Sequence, residues 1–70
     1  MASQAMQLRF FIEFDWRLVH HLEGHLTNLL INQPQNIQHQ VLVWLTIKNI
    51  RQRIQTHQDM LDIIDADFVH

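Results

Sequence analysis

The segment INQPQN, residues 31–36, decides the fold because it clearly interrupts two long segments of periodic hydrophobicity. Proline fixes its own φ angle and disfavours helical conformation in the residue before it. Asn32 can end one helix, and Pro34 fits the first turn of the next. Each flanking segment is about thirty residues long. The pattern therefore predicts two long elements joined by one short turn.

The segment before the turn has the periodicity of an amphipathic helix. Its apolar residues recur at spacings of three and four, so they share one arc of the helix surface. They are Leu8, Phe11, Ile12, Leu18, Val19, Leu22, Leu26, Leu29 and Leu30. Residues 12–18, IEFDWRL, also alternate apolar and polar side chains, as a half-buried strand would. The helical pattern covers much more of the segment, so it is preferred.

The segment after the turn contains a heptad seam, which is typical of packed helices. Its members are Ile47, Ile50, Ile54, His57, Leu61, Ile64 and Phe68. Upstream of the seam, residues 41–45 are apolar on every side, so a helix there needs cover on every side. Read instead as a strand, residues 41–47 would be central in a sheet, and the fold would be small α+β with βαβα order.

These patterns favour an all-α fold in which an antiparallel two-helix hairpin dimerises into a four-helix bundle. We expect a single domain over residues 1–70, with a helix from about 5 to 31, a turn at 32–35 and a helix from about 36 to 66. A single glycine and a single proline argue against a turn-rich β architecture. A chain of 70 residues usually needs a disulfide, a metal or a partner chain for stability, and this one has no cysteine.

The expectation of a homodimer rests on hydrophobic residues that two helices alone cannot cover. Met6, Phe10 and Phe14 lie outside the main apolar arc of the first segment. Two-fold symmetry would place the same uncovered patch against itself. We predict that the interface comprises Phe10, Phe14, Trp44, Leu45 and Ile47.

Two polar residues interrupt the apolar pattern. Asp15 lies near the centre of the first apolar arc, and His57 lies within the heptad seam. Buried charge is costly unless it is paired. In a hairpin, position 15 is level with about position 52, so we expect Asp15 to pair with Arg51 or Arg53, with Arg51 preferred. Such a pair would fix the register of the helices, and His57 would help to specify their pairing.

The stretch HHLEGH, residues 20–25, is a candidate metal site. His21 and His25 are four residues apart and could chelate one ion from a single helix face, whereas His20 points roughly 100° away. A symmetric dimer could supply four such ligands. The favoured interpretation is that these histidines flank the stripe of Phe10 and Phe14, and we expect no metal or cofactor.

The stretch KNIRQRIQTH, residues 48–57, places five residues between Arg51 and His57. This spacing resembles the R-x(4–6)-H motif of HEPN ribonucleases, which are helical domains that often pair to bring two motifs into one cleft. The resemblance covers residues 51–57 and implies, as an alternative function, RNA cleavage by Arg51 and His57. The favoured interpretation of the stretch is a solvated basic face.

Composition argues against several classes of function. A net charge of −2 with five lysines and arginines does not favour nucleic-acid binding. The apolar run at 41–47 is too short to span a bilayer, and the N-terminal segment does not resemble a secretory signal, so we expect a cytoplasmic protein. The predicted function is that of a non-enzymatic module, an adaptor, inhibitor or regulator, which binds itself and an unidentified protein. Trp16 is the expected partner contact.

Overall fold

The computed structural model describes the backbone of residues 3–68 and the side chains of residues 3–65. It contains two helices, α1 at Gln4–Asn32 and α2 at Ile37–Phe68, which pack against each other. The all-α prediction is confirmed for this part of the chain. The strand alternative is wrong, since residues 12–18 lie within α1 and residues 41–47 lie within α2. The ends of the predicted 1–70 domain, residues 1, 2, 69 and 70, lie outside the described residues.

The turn between the helices is held by its own amide side chains. The Asn36 carbonyl oxygen Oδ1 accepts a hydrogen bond from the backbone N–H of His39 at 3.4 Å, the pattern of a helix N-cap. The side-chain amide of Gln40 donates to the backbone carbonyls of Gln33 and Pro34 at 3.0 and 3.2 Å. Pro34 therefore lies within the turn and not in the first turn of α2.

The core is a single strip along the contact between the two helices. Its buried hydrophobic residues are Leu8, Val19, Leu29, Val43, Ile47, Ile50, Ile54 and Leu61. Four partly buried residues of α1 pack against it: Ile12, Leu18, Leu22 and Leu26. Val19 is fully buried at the middle of the strip. The spacing of three and four along both helices places these residues on the facing sides, and their burial stabilises the pair.

The heptad seam of α2 faces α1. Ile47, Ile50, Ile54 and Leu61 are buried there, and the side chain of the predicted seam residue Phe68 lies outside the described residues. Ile47 is only 6% exposed, so its assignment to the dimer interface is wrong. Because Ile47 begins the seam, the packing within one chain already covers it.

The described side chains leave many large hydrophobic residues in contact with solvent. They are Met6, Phe10, Phe11, Phe14, Trp16, Leu30, Ile31, Ile37, Val41, Leu42, Trp44, Leu45, Met60 and Ile63. The hairpin measures 54 × 18 × 15 Å and exposes 5610 Å² of surface. A folded monomer of 8.5 kDa typically exposes about 4700 Å². One hairpin therefore exposes about 900 Å² more than a typical monomer of its mass.

Neither α1 nor α2, over the residues described, combines the length and the hydropathy that a transmembrane helix requires. The exposed hydrophobic residues are instead distributed among charged and amide side chains on both helices.

Candidate functional site

A buried ion pair joins the two helices at Asp15. This residue is 3% exposed, in keeping with its place in the apolar arc of α1. Its Oδ2 accepts a hydrogen bond from Arg53 Nε at 2.9 Å, and its Oδ1 accepts one from Arg53 Nη2 at 2.6 Å. Hydrogen bonding and the negative charge of Asp15 raise the pKa of Arg53. The bidentate geometry satisfies both carboxylate oxygens and so makes the burial of this charge tolerable.

The preferred partner predicted for Asp15, Arg51, is wrong. Arg51 instead donates from Nη2 to Glu23 Oε1 at 2.8 Å, and its Cζ lies 5.9 Å from the centre of the Trp16 ring. Residues 51 and 53 are two positions apart, so their side chains project about 200° apart around α2. Both arginines lie at nearly the same height as Asp15 along the hairpin. Position along the helix axis therefore does not determine which of the two contacts Asp15.

Beside the ion pair lies an open cleft with a volume of about 520 Å³, here called the phenylalanine cleft. Its lining residues are Phe10, Phe11, Phe14, Asp15, Arg53 and His57. Phe10 is 65% exposed, Phe11 48% and Phe14 51%. The rings of Phe10 and Phe11 meet edge to face, with centroids 6.0 Å apart. The cleft therefore has exposed aromatic walls around an ion pair whose hydrogen bonds are already formed.

His57 occupies the edge of the phenylalanine cleft. Its ring centroid lies 5.9 Å from that of Phe11. The ring is partly buried, and its buried Nδ1 has no hydrogen-bond partner among the described residues. A buried polar atom of this kind costs roughly 1–3 kcal/mol until it gains a partner. The Nδ1 of His57 is therefore an unsatisfied polar atom beside the phenylalanine cleft.

A second cleft, with a volume of about 440 Å³, contains tryptophan and charged residues. Its lining residues are Glu23, Leu26, Trp44, Ile47, Lys48 and Arg51. The Nζ of Lys48 lies 5.4 Å from the centre of the Trp44 ring, within the range of a cation–π contact. Because Arg51 also contacts Trp16, we call Trp16, Glu23, Trp44, Lys48 and Arg51 together the tryptophan surface.

The residues predicted for the dimer interface do not form one surface. Phe10 and Phe14 line the phenylalanine cleft, whereas Trp44 lines the cleft that contains Arg51. These clefts lie on different sides of the hairpin, because Arg51 and Arg53 project in nearly opposite directions from α2. Leu45 is exposed and lines neither cleft. The hydrophobic pattern of the sequence identifies residues that two helices leave uncovered. It does not show on which side of the hairpin each of them lies.

Two residues of the phenylalanine cleft were not predicted as site residues. Phe11 fits the apolar arc of α1 and was expected in the core, but it is exposed at the edge of that arc. Arg53 was the second choice for the partner of Asp15. A helical wheel places Phe11 about 60° from Phe14 on α1, so the neighbourhood of these two rings could be read from the sequence. The position of Arg53 depends in addition on the rotation of α2.

The pair of residues implied by the HEPN resemblance is not assembled within one chain. His57 lines the phenylalanine cleft next to Arg53, and Arg51 lines the other cleft, where Glu23 binds its guanidinium group. The six-residue step from Arg51 to His57 corresponds to about 240° around a helix, so the two side chains diverge.

The histidines of residues 20–25 and His39 line neither of these two clefts. His20 stacks on Trp16 with ring centroids 6.0 Å apart, while the ring of His25 meets that of His39 from α2 at 5.4 Å. His39 was not among the predicted metal ligands. Across the part of the chain that the structure describes, no three side chains of His, Asp or Glu are grouped to hold a metal ion.

The site therefore consists of two surfaces on one hairpin. One is the aromatic cleft around Asp15 and Arg53, and the other carries two tryptophans with the Glu23–Arg51 ion pair. Both combine exposed aromatic rings with arginine, the residue types that are enriched in protein interfaces. No protein-family model, curated protein or solved structure significantly matches this chain.

Proposed function

We propose that this protein is a non-enzymatic homodimer in which two hairpins pack through the phenylalanine cleft to form a four-helix bundle. The dimer would bind another protein through its tryptophan surface and so act as an adaptor, inhibitor or regulator. The observation that carries this proposal is the exposure of Phe10, Phe11 and Phe14 around one cleft.

The area of exposed surface supports a second copy as the occupant of the cleft. One hairpin exposes about 900 Å² more than the surface typical of its mass. A standard stable interface buries about 800 Å² on each partner. Dimerisation of this hairpin would therefore remove the excess without any further element of structure.

The chemistry of the cleft also fits a self-complementary contact. Exposed phenylalanine rings lose water readily, and they pack against one another in offset or edge-to-face arrangements. The ion pair of Asp15 and Arg53 forms bidentate hydrogen bonds within one chain, so covering it leaves no unpaired charge at the interface. Two-fold symmetry would place the cleft of one copy against that of the other.

The tryptophan surface would remain accessible in such a dimer because it lies on a different side of each hairpin. Tryptophan and arginine are the residue types that most often dominate the energy of protein interfaces. Trp16 and Trp44 supply aromatic rings, Lys48 supplies a cation, and Arg51 is held in place by Glu23. The chemistry suits a partner surface that combines apolar side chains with carboxylates.

The first experiment compares two variants by sedimentation equilibrium. Phe10→Gln/Phe14→Gln replaces exposed rings of the phenylalanine cleft, and Trp44→Gln is a matched change on the other side. We expect the double variant to be monomeric and Trp44→Gln to remain dimeric, with far-UV circular dichroism showing equal helicity. If Trp44→Gln dissociated the dimer and the double variant did not, the interface would lie on the tryptophan surface, which would contradict the proposal.

The second experiment identifies the partner by native pull-down with quantitative mass spectrometry. Proteins that bind through the tryptophan surface should be lost with Trp44→Gln. They should be retained with Ile63→Gln, which changes an exposed hydrophobic residue outside both clefts. If the wild type, Trp44→Gln and Ile63→Gln all captured the same proteins, the result would contradict binding through the tryptophan surface.

A further inference from the structure

We propose that His25 and His39 form a site for a late first-row divalent metal ion, which joins α1 to α2 beside the turn. The two rings come from different helices, both are exposed, and their centroids are 5.4 Å apart. This pair is distinct from His21 and His25, which both belong to α1. The inference is independent of the proposed dimer.

The distance between the rings matches the geometry of shared coordination. A Zn–N bond is about 2.0–2.1 Å long, so the centroid of a coordinating imidazole lies about 3.2 Å from the metal. Two imidazoles at the tetrahedral angle of about 109° would then have centroids about 5.2 Å apart. The 5.4 Å between His25 and His39 agrees with this value, and rotation about χ2 can turn the ring nitrogens towards one ion.

The ligand set determines the class of metal. Imidazole nitrogen suits Zn²⁺, Cu²⁺ and Ni²⁺, whereas Mg²⁺ and Ca²⁺ require oxygen ligands. Two histidines leave the remaining coordination positions to water, because the described residues offer no third ligand in place. Binding should follow the general order of affinity, with Cu²⁺ the tightest.

A metal at this position would act as a staple between the helices. The turn of residues 33–36 is the covalent link between α1 and α2, and the hydrophobic core is a single narrow strip. An ion that binds both helices is held more weakly once the chain unfolds, so binding shifts the equilibrium towards the folded hairpin. Small domains without disulfides often depend on such a link.

The test is thermal unfolding of the full chain, prepared without a polyhistidine tag, with CuCl₂, ZnCl₂ or MgCl₂. We expect about 100 µM Cu²⁺ to raise the unfolding midpoint of the wild type by about 5 °C or more, with a smaller rise for Zn²⁺ and none for Mg²⁺. His25→Ala and His39→Ala should abolish the rise. His21→Ala should keep it, and so should His20→Ala, the matched control that stacks on Trp16.

Two outcomes would overturn the proposal. The first is a wild type whose midpoint does not respond to Cu²⁺ or Zn²⁺. The second is a rise that survives His39→Ala but is lost with His21→Ala, which would assign the metal to a pair within α1. All four substituted histidines are exposed, so each histidine-to-alanine variant should fold as the wild type does when no metal is added. The Phe10→Gln/Phe14→Gln variant should respond as the wild type does, which separates metal binding from dimerisation.

Discussion

At Asp15, a single buried carboxylate of α1 is bound by Arg53 of α2. Arg53→Ala would leave this charge without its bidentate partner, and we expect the free energy of unfolding to fall by about 2 kcal/mol. The loss is smaller than for a fully buried ion pair because Arg53 itself is half-exposed. Arg51→Ala is the matched control. It breaks an ion pair with the more exposed Glu23, and its cost should be below about 1 kcal/mol.

Urea unfolding at a fixed protein concentration measures both variants. The account would be contradicted if Arg51→Ala cost more than Arg53→Ala. Since Asp15 raises the pKa of Arg53, the ion pair stabilises the fold below the ordinary arginine pKa. The contribution of Arg53 would be lost as the pH rises through the raised pKa, so this arginine adds no pH dependence between about pH 5 and 9.

The separation of Arg51 from His57 gives a second prediction at this scale. We expect an unstructured RNA to remain intact with the wild type and with His57→Ala alike, because these two side chains line different clefts. Gel analysis of a labelled RNA measures this. Cleavage by the wild type that is abolished in His57→Ala would favour the ribonuclease alternative.

The identities of the residues in the ion pair show how far the sequence determines the site. The apolar arc around Asp15 was enough to predict that it is buried and needs a cation. It was not enough to choose Arg53 over Arg51, because that choice depends on the rotation of α2 about its own axis. The contact between His25 and His39 also depends on that rotation, so the sequence alone could not predict it.

At the scale of the helices, Gly24 is a weak point in the interior of α1. A Cβ atom built at this position meets nothing within 4 Å outside the local helix, so an alanine side chain fits without strain. We expect Gly24→Ala to stabilise the fold by about 0.5–1 kcal/mol, because glycine loses more backbone entropy in a helix. Thermal unfolding measures the gain, and an unchanged or lower midpoint would contradict it.

The two helices were predictable because their periodicity persists over much longer stretches than any competing pattern. The alternation at 12–18 agrees with a strand only while Asp15 is counted among the polar, exposed positions. In the structure Asp15 is buried, whereas Phe14 and Trp16 are exposed, so the alternation does not describe the buried face. The turn was predictable because INQPQN concentrates the residues that end and begin helices.

At the scale of the molecule, the main feature is the large hydrophobic surface that two helices leave uncovered. The hairpin is 54 Å long with a core one strip wide, and exposed aromatic rings cluster around the phenylalanine cleft. Composition predicted that two helices could not bury all of this hydrophobic surface. It could not predict which side of the hairpin carries the cleft, because the answer depends on the crossing and rotation of both helices.

The most direct measurement is the mass of the wild-type protein in solution, by sedimentation equilibrium from about 1 to 100 µM, a range that includes the affinity of ordinary dimers. The account predicts a mass that approaches twice the 8.5 kDa of one chain, with an unfolding midpoint that rises as the protein is concentrated. A mass of 8.5 kDa across the whole range, together with a sharp unfolding transition at a constant midpoint, would contradict it.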